Sequence, residues 1–146
     1  MSDAEQLPYL VLRAGSKLVD GIQQRMARRG FGDVRPAHGF AFTVIAGRGA
    51  TAGQLAEHLG VTKQAAAQMV QELEAKGYVE RAAHPDDARV KVIVLTARGR
   101  ACTRAAERSA AEELRPWLDG LGPGATSGLV RALAAYADPG PVRPTW

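Results

Sequence analysis

Residues 51–77, TAGQLAEHLGVTKQAAAQMVQELEAKG, read as two short helices joined by a tight turn. Thr51 followed by Gln54 forms a capping box, in which hydroxyl and amide satisfy the first free N–H groups of a helix. Leu55, Ala56 and Leu59 then share one face, and Gly60 supplies the left-handed residue that stops the helix. Thr62 caps the next helix, whose apolar stripe is Ala66, Met69, Val70 and Leu73. Gly77 ends it, with Tyr78 as the apolar residue just beyond. The outward face of this second helix carries Lys63, Gln64, Ala67, Gln68 and Gln71. Long amides and one lysine around a small residue suit a surface that enters a groove and hydrogen-bonds to edges. The pattern is that of a helix-turn-helix.

The segment after Gly77 changes period. Residues 78–82 and 90–95 are β-rich runs separated by AHPDDAR, a polar, turn-forming stretch. A β-hairpin directly after a recognition helix is the layout of a wing. Arg89 and Lys91 fall at its base or tip, within reach of a phosphate backbone or a minor groove.

Upstream, Pro8 suits the first turn of a long helix running to Arg29, with Val11, Ala14, Leu18, Ile22 and Met26 spaced three or four apart. Arg28 and Arg29 suit its negative end, and Gly30 closes it. Pro36 opens a second helix through about Ala46, with Phe40, Ala41, Val44 and Ile45 as core candidates and Phe42 near the edge. Downstream, Thr96 caps a helix from Ala97 to about Arg115, where Pro116 marks a break or kink, with Ala101, Ala105 and Leu114 on one side. A last helix starts near Pro123 and includes Leu129, Val130, Leu133 and Tyr136, weakened by Gly124 and Gly128. The tail DPGPVRPTW orders only if Trp146 docks.

Composition bounds the function. A chain of 146 residues, 46% apolar and 23% charged, suits one domain with a real core. A single cysteine, Cys102, excludes an internal disulfide and points to a reducing compartment. There is no basic-then-apolar leader and no long uncharged apolar run, so a cytoplasmic protein is expected. Net charge is +4, of which residues 13–35 hold six basic against two acidic and residues 48–100 eight against six. The DNA-reading candidate is therefore only mildly basic. Its affinity must come from more than one copy or from well-placed individual contacts.

Other chemistries find little support. His38, His58 and His84 are scattered over three elements without ligand spacing, so no metal or cofactor is expected. Neither a glycine-rich phosphate loop nor a nucleophile elbow occurs, and Asp86 and Asp87 read as a turn signal, so no enzyme is expected. Cys102 reads as a packing residue of its helix.

The order helix, helix, helix, recognition helix, hairpin, helix, helix resembles the MarR family of winged-helix transcription regulators. The resemblance is carried by LAEHLGVTKQAAAQMVQELEAKGYVER and by HPDDARVKVIVLTARG, in which Asp87, Arg89, Leu95, Thr96 and Gly99 fit the family's wing. It implies a mainly α fold with a small β-hairpin wing. Residues 36–96 would form the winged-helix DNA-binding lobe, and residues 1–35 and 97–146 the dimerisation helices, within one MarR-like domain. It further implies a homodimeric regulator, a repressor in the reading adopted here, on a pseudo-palindromic site of double-stranded DNA. Release would come from a small, often aromatic, effector. Thr62, Lys63, Gln64, Gln68, Arg89 and Lys91 are the expected DNA contacts. His38 and Phe40 are the candidates for lining an effector cleft between the first two helices and the fifth. The last helix departs from the family, with glycines where acidic helix formers are usual. The competing class is a winged helix used as a protein-interaction module; a polar recognition face and Arg89 favour DNA.

Overall fold

A computed structural model describes residues 1–138. The sequence expectation for the tail and Trp146 lies outside the described residues. The elements are α1 (Asp3–Arg28), α2 (Pro36–Ile45), α3 (Ala52–Leu59), α4 (Lys63–Ala75), β1 (Val79–Ala83), β2 (Lys91–Leu95), α5 (Ala97–Asp119) and α6 (Ala125–Tyr136). The fold is mainly helical with one antiparallel hairpin, the winged helix-turn-helix expected from the sequence.

The chain divides into two compact units, residues 34–105 and residues 1–33 with 106–138. In the first, α3 packs on α2 and α4, and β1 on α4. Its core is built from Phe42, Ile45, Leu55, Leu59, Ala66, Val70, Leu73, Tyr78, Val79, Val92, Ile93 and Leu95, all buried. Thr51 and Gln54 exchange the two bonds of a capping box, and Thr62 Oγ1 accepts from the Ala65 amide at 3.0 Å. Both helices end as the glycines require. Gly60 and Gly77 stand at φ 65° and 82°, and the next residues return amides to the helix, Val61 to Ala56 O and Tyr78 to Leu73 O. Tyr78, at 0% exposure, then anchors the start of the hairpin, its ring 5.8 Å from that of Phe42 and under the Arg98 guanidinium at 4.7 Å.

The hairpin pairs Val79 with Leu95 through Ala83 with Lys91. A third segment joins it: Ala50 exchanges two backbone bonds with Ile93, at 3.0 and 2.7 Å. One residue does not signal a strand, so periodicity does not find it. Thr96 ties the hairpin's end to the turn after α4, its Oγ1 donating to Gly77 O at 2.6 Å and accepting from the Gly99 amide at 3.1 Å. Gly99 lies so close to the Tyr78 carbonyl and the Leu95 side chain that a Cβ there would collide with backbone. The sequence Leu-Thr-x-x-Gly thus marks a close approach of helix and strand.

In the other unit, ion pairs connect α1 and α5. Arg29 reaches Glu112 with one guanidinium nitrogen at 2.7 and 2.8 Å and the buried Ser109 at 3.1 Å, while Arg25 reaches Glu112 and Glu113 at 3.3 and 3.1 Å. A Cβ on Gly21 would occupy the space of the Glu113 carboxylate. Of the stripe expected along α1, Met26 is buried, Leu18 and Ile22 are partly exposed, and Val11 and Ala14 are exposed.

Several boundaries differ from the sequence expectation. The first helix begins at Asp3, five residues before Pro8, because Ser2 and Glu5 form a capping box of their own. Pro8 therefore lies beyond the first turn. Pro116 does not end α5, which continues to Asp119 with one backbone N–H bond missing near its end. α6 starts at Ala125, after Gly124 in the left-handed region at φ 78°. The two phenylalanines of α2 exchange places, with Phe42 buried and Phe40 partly exposed.

Candidate nucleic-acid interface

Along α4, Ala66, Val70 and Leu73 are buried and Met69 is partly so, leaving the opposite side to Lys63, Gln64, Ala65, Gln68 and Gln71, all exposed. Neither Lys63 nor the three glutamines engage a hydrogen bond or ion pair of their side chains among the described residues. A glutamine left unpaired offers both a donor and an acceptor to an incoming edge. Thr62 is exposed at the N-cap, but its hydroxyl already serves the Ala65 amide.

The same helix carries two carboxylates that would repel phosphate, and each is paired. Glu72 accepts from Arg35 at 2.8 Å and from Lys76 at 3.0 Å, and Glu74 faces Arg81 at 3.4 Å. The hydrogen bond from Lys76 leads the interactions that hold the Glu72 carboxyl below the usual range, and it stays ionised and neutralised by its partners. Arg35 therefore does local work that its position before Pro36 does not announce.

His38 sits under this cluster. It is 0% exposed, its Nδ1 accepts the Arg35 amide at 3.0 Å, and its Nε2 lies 3.5 Å from Glu72. An imidazole here takes the part that glutamate takes in a capping box, at the third residue of α2. An accepting Nδ1 is unprotonated, so the neutral ring carries its proton on Nε2, which stands 3.2 Å from Arg35 Nη2 and 3.5 Å from Glu72. Burial, helped by the Arg35 guanidinium and opposed by Glu72, holds His38 below the ordinary imidazole range. As pH falls past about 6.5, the unfolded chain binds this proton before the folded one does, and stability declines until the folded imidazole also titrates. The melting temperature should be level above about pH 7.5 and fall on acidification through 6.5. His38→Asn, whose amide oxygen can still accept the Arg35 amide, should flatten that slope; an unchanged slope would contradict this role for His38. Of the two residues expected to line an effector cleft, then, His38 is enclosed with both ring nitrogens near the chain's own groups, and Phe40 is partly exposed.

At the wing, residues 84–90 close the hairpin. The His84 amide donates to Val90 O at 2.8 Å, and His84 Nδ1 accepts the Asp86 amide at 3.0 Å. Asp87 grips Arg89 through its amide at 3.1 Å, its Nε at 3.1 Å and its Nη2 at 3.3 Å. These bonds, the side-chain one first, hold the Asp87 carboxyl below the usual carboxylate range. The Arg89 side chain is nevertheless 90% exposed. Arg89 lies in the turn, two residues before the strand that Lys91 opens; Lys91 is also exposed.

A capped two-helix reader followed by a hairpin that presents an arginine defines a winged helix-turn-helix protein. Residues 33–90, which include the helix-turn-helix and most of the hairpin, match the model of the MarR family. No curated protein sequence matches the chain. Solved structures do. CouR from Rhodococcus jostii RHA1, bound to p-coumaroyl-CoA, is 20% identical with a TM-score of 0.73, over 98% of this chain and 99% of that one. Streptococcus pneumoniae FabT in complex with DNA is 25% identical with a TM-score of 0.72, over 92% and 94%. A MarR-family transcriptional regulator from Rhodococcus sp. RHA1 is 19% identical with a TM-score of 0.71, over 95% and 99%. At these identities the likeness is one of fold. Among the described residues, no helix is long and apolar enough to cross a membrane, and no group of His, Cys, Asp and Glu is placed to hold a metal ion.

Proposed function

We propose that the protein is a DNA-binding transcription regulator that acts as a homodimer on a pseudo-palindromic site in the cytoplasm. The observation that carries the reading is the exposed polar face of α4, from which every carboxylate has been neutralised by a neighbouring base. α4 enters a major groove, with Gln64 and Gln68 toward base edges and Thr62 and Lys63 toward phosphate. Arg89 reaches the adjoining minor groove and Lys91 the backbone beside it. The DNA in the FabT complex supports this use of the fold. The reading is tested by gel retardation of duplex DNA from around the protein's own gene. Retardation that weakens steeply with salt is expected, and none at 50 mM salt would refute it.

Residues 36–96 form the DNA-reading lobe in this proposal, and α1, α5 and α6 the dimerisation helices. Support comes from apolar surface that the single chain leaves open. Leu7, Tyr9, Leu10, Val11 and Leu12 of α1 are between 48% and 72% exposed, and no residue of α6 is buried. α6, with Gly128 inside it, lacks the propensity to stand in water unassisted. Sedimentation at micromolar concentration should return a dimer. A monomer that still bound a full palindromic site with the same affinity would contradict the arrangement.

The regulator is a repressor released by a small aromatic effector bound beside Phe40. The p-coumaroyl-CoA held by CouR supports an aromatic acyl group as the class to try. Phenolic acids and their thioesters should raise the melting temperature and release DNA in the same retardation assay. A panel that did neither would remove the effector from the account.

A further inference from the structure

Gln64, Gln68 and Gln71 stand at i, i+4 and i+7 of α4, and all three are exposed, so they form one stripe opposite the buried Ala66, Val70 and Leu73. From this stripe we infer that each recognition helix reads adenines, and that the half-site presents A·T pairs where Gln64 and Gln68 meet the major groove. The inference rests on the DNA-binding reading above and adds the identity of the bases.

A carboxamide holds a donor and an acceptor side by side, which matches the N6–H donor and N7 acceptor of adenine and no other base edge in the major groove. Guanine shows two acceptors and is matched by arginine or lysine. No arginine occurs between Lys63 and Ala75. Lys76, past the end of α4, is occupied by Glu72 at 3.0 Å. Lys63 stands at the helix's first position, beside the free N–H groups of the N-terminus, where a phosphate is the natural partner. Cytosine, whose edge is a donor, would call for a carboxylate, and Glu72 and Glu74 are both paired to bases of the protein. The methyl groups of Ala65 and Ala67 add small apolar surface beside the stripe, suited to the thymine methyl of an A·T pair. Gln64 and Gln68 are ~6 Å apart along the helix axis, so they address neighbouring rather than remote base pairs. Recognition helices enter the groove by their N-terminal residues, which puts Gln71 at the margin of the contact.

The test is selection of binding sites from random duplexes by the full chain, followed by atom-level substitution. Adenine should be enriched at one or two positions of each half-site. Replacing those adenines with 7-deaza-adenine, which lacks the N7 acceptor, should weaken binding by about tenfold per position. In Gln68→Ala that sensitivity should vanish at one position and persist at the other, and Gln68→Arg should move the preference there toward guanine. Both residues are exposed, so a melting temperature equal to that of the parent verifies the fold of the variants. Selected sites carrying guanine at the protected positions, or 7-deaza-adenine tolerated without loss, would overturn the inference while leaving DNA binding in place. Recovery of no duplex at all would instead overturn the DNA-binding reading, and this inference with it.

Discussion

Arg89→Ala should weaken binding to the operator by about tenfold for each wing, or ~100-fold for a dimer, at an unchanged melting temperature. The two halves of the prediction have separate grounds. The side chain is 90% exposed and bonds to Asp87, itself at the surface, so its removal costs the fold little. Its value to DNA is larger because the guanidinium is planar and weakly hydrated, and is drawn to the concentrated negative potential of a narrow A·T-rich minor groove. Asp87 engages the guanidinium at the turn through Nε and Nη2. The carboxylate must then give way as phosphates approach, so Asp87→Asn should alter affinity far less than Arg89→Ala does. Arg89→Lys should recover part of the loss, since a strongly hydrated point charge fits the groove less well. Fluorescence anisotropy at one fixed salt concentration decides the matter, and parental affinity in Arg89→Ala would leave the wing a structural hairpin only.

Gly99→Ala should cost about 3 kcal/mol of stability and lower the melting temperature by roughly 10 °C. The added Cβ would meet the Tyr78 carbonyl oxygen and the Leu95 side chain. That carbonyl is already fixed by the Thr96 amide at 3.0 Å, and Thr96 in turn accepts the Gly99 amide. The Leu95 methyl can yield, but the Tyr78 carbonyl is backbone, so relief requires α5 to move off the hairpin. Gly39→Ala is the control. Gly39 is inside α2 with open space where a Cβ would stand, and alanine there should be neutral or stabilising by up to ~1 kcal/mol. Equal melting temperatures for Gly99→Ala and the parent would show that the helix and hairpin are not pressed together as described.

The contrast between these two sites explains how far the sequence could be read. The helix-turn-helix was legible because its signals are local: Thr51 with Gln54, Gly60, Thr62 and Gly77 each fix a helix end through bonds that span a few residues. The hairpin was legible for the same reason, from two β-rich runs around a turn. Two further features depend on partners far apart in the chain. The pairing of Ala50 with Ile93 has no periodic signature, and neither does the service of Arg35 to Glu72, 37 residues away. His38 reads in the sequence as a histidine near a cleft, whereas its place as the third residue after a helix cap is the local signal of its role. At the start of α1, the capping box of Ser2 and Glu5 competes in the sequence with the helix-start signal of Pro8. At the candidate interface, exposure of Gln64, Gln68 and Arg89 followed from spacing alone, whereas neutralisation of Glu72 and Glu74 required the fold.

The measurement that bears most directly on the account is a nuclease footprint of the full chain on DNA flanking its own gene. Two protected half-sites related by a two-fold axis are expected, their centres one helical turn or about 34 Å apart, each with a protected A·T-rich minor groove beside it. Arg89→Ala should abolish the flanking minor-groove signal while weakened major-groove protection remains at higher protein concentration. Uniform protection without defined half-sites, or no protection at concentrations where the dimer is complete, would contradict the assignment of α4 and the wing as a sequence-reading surface.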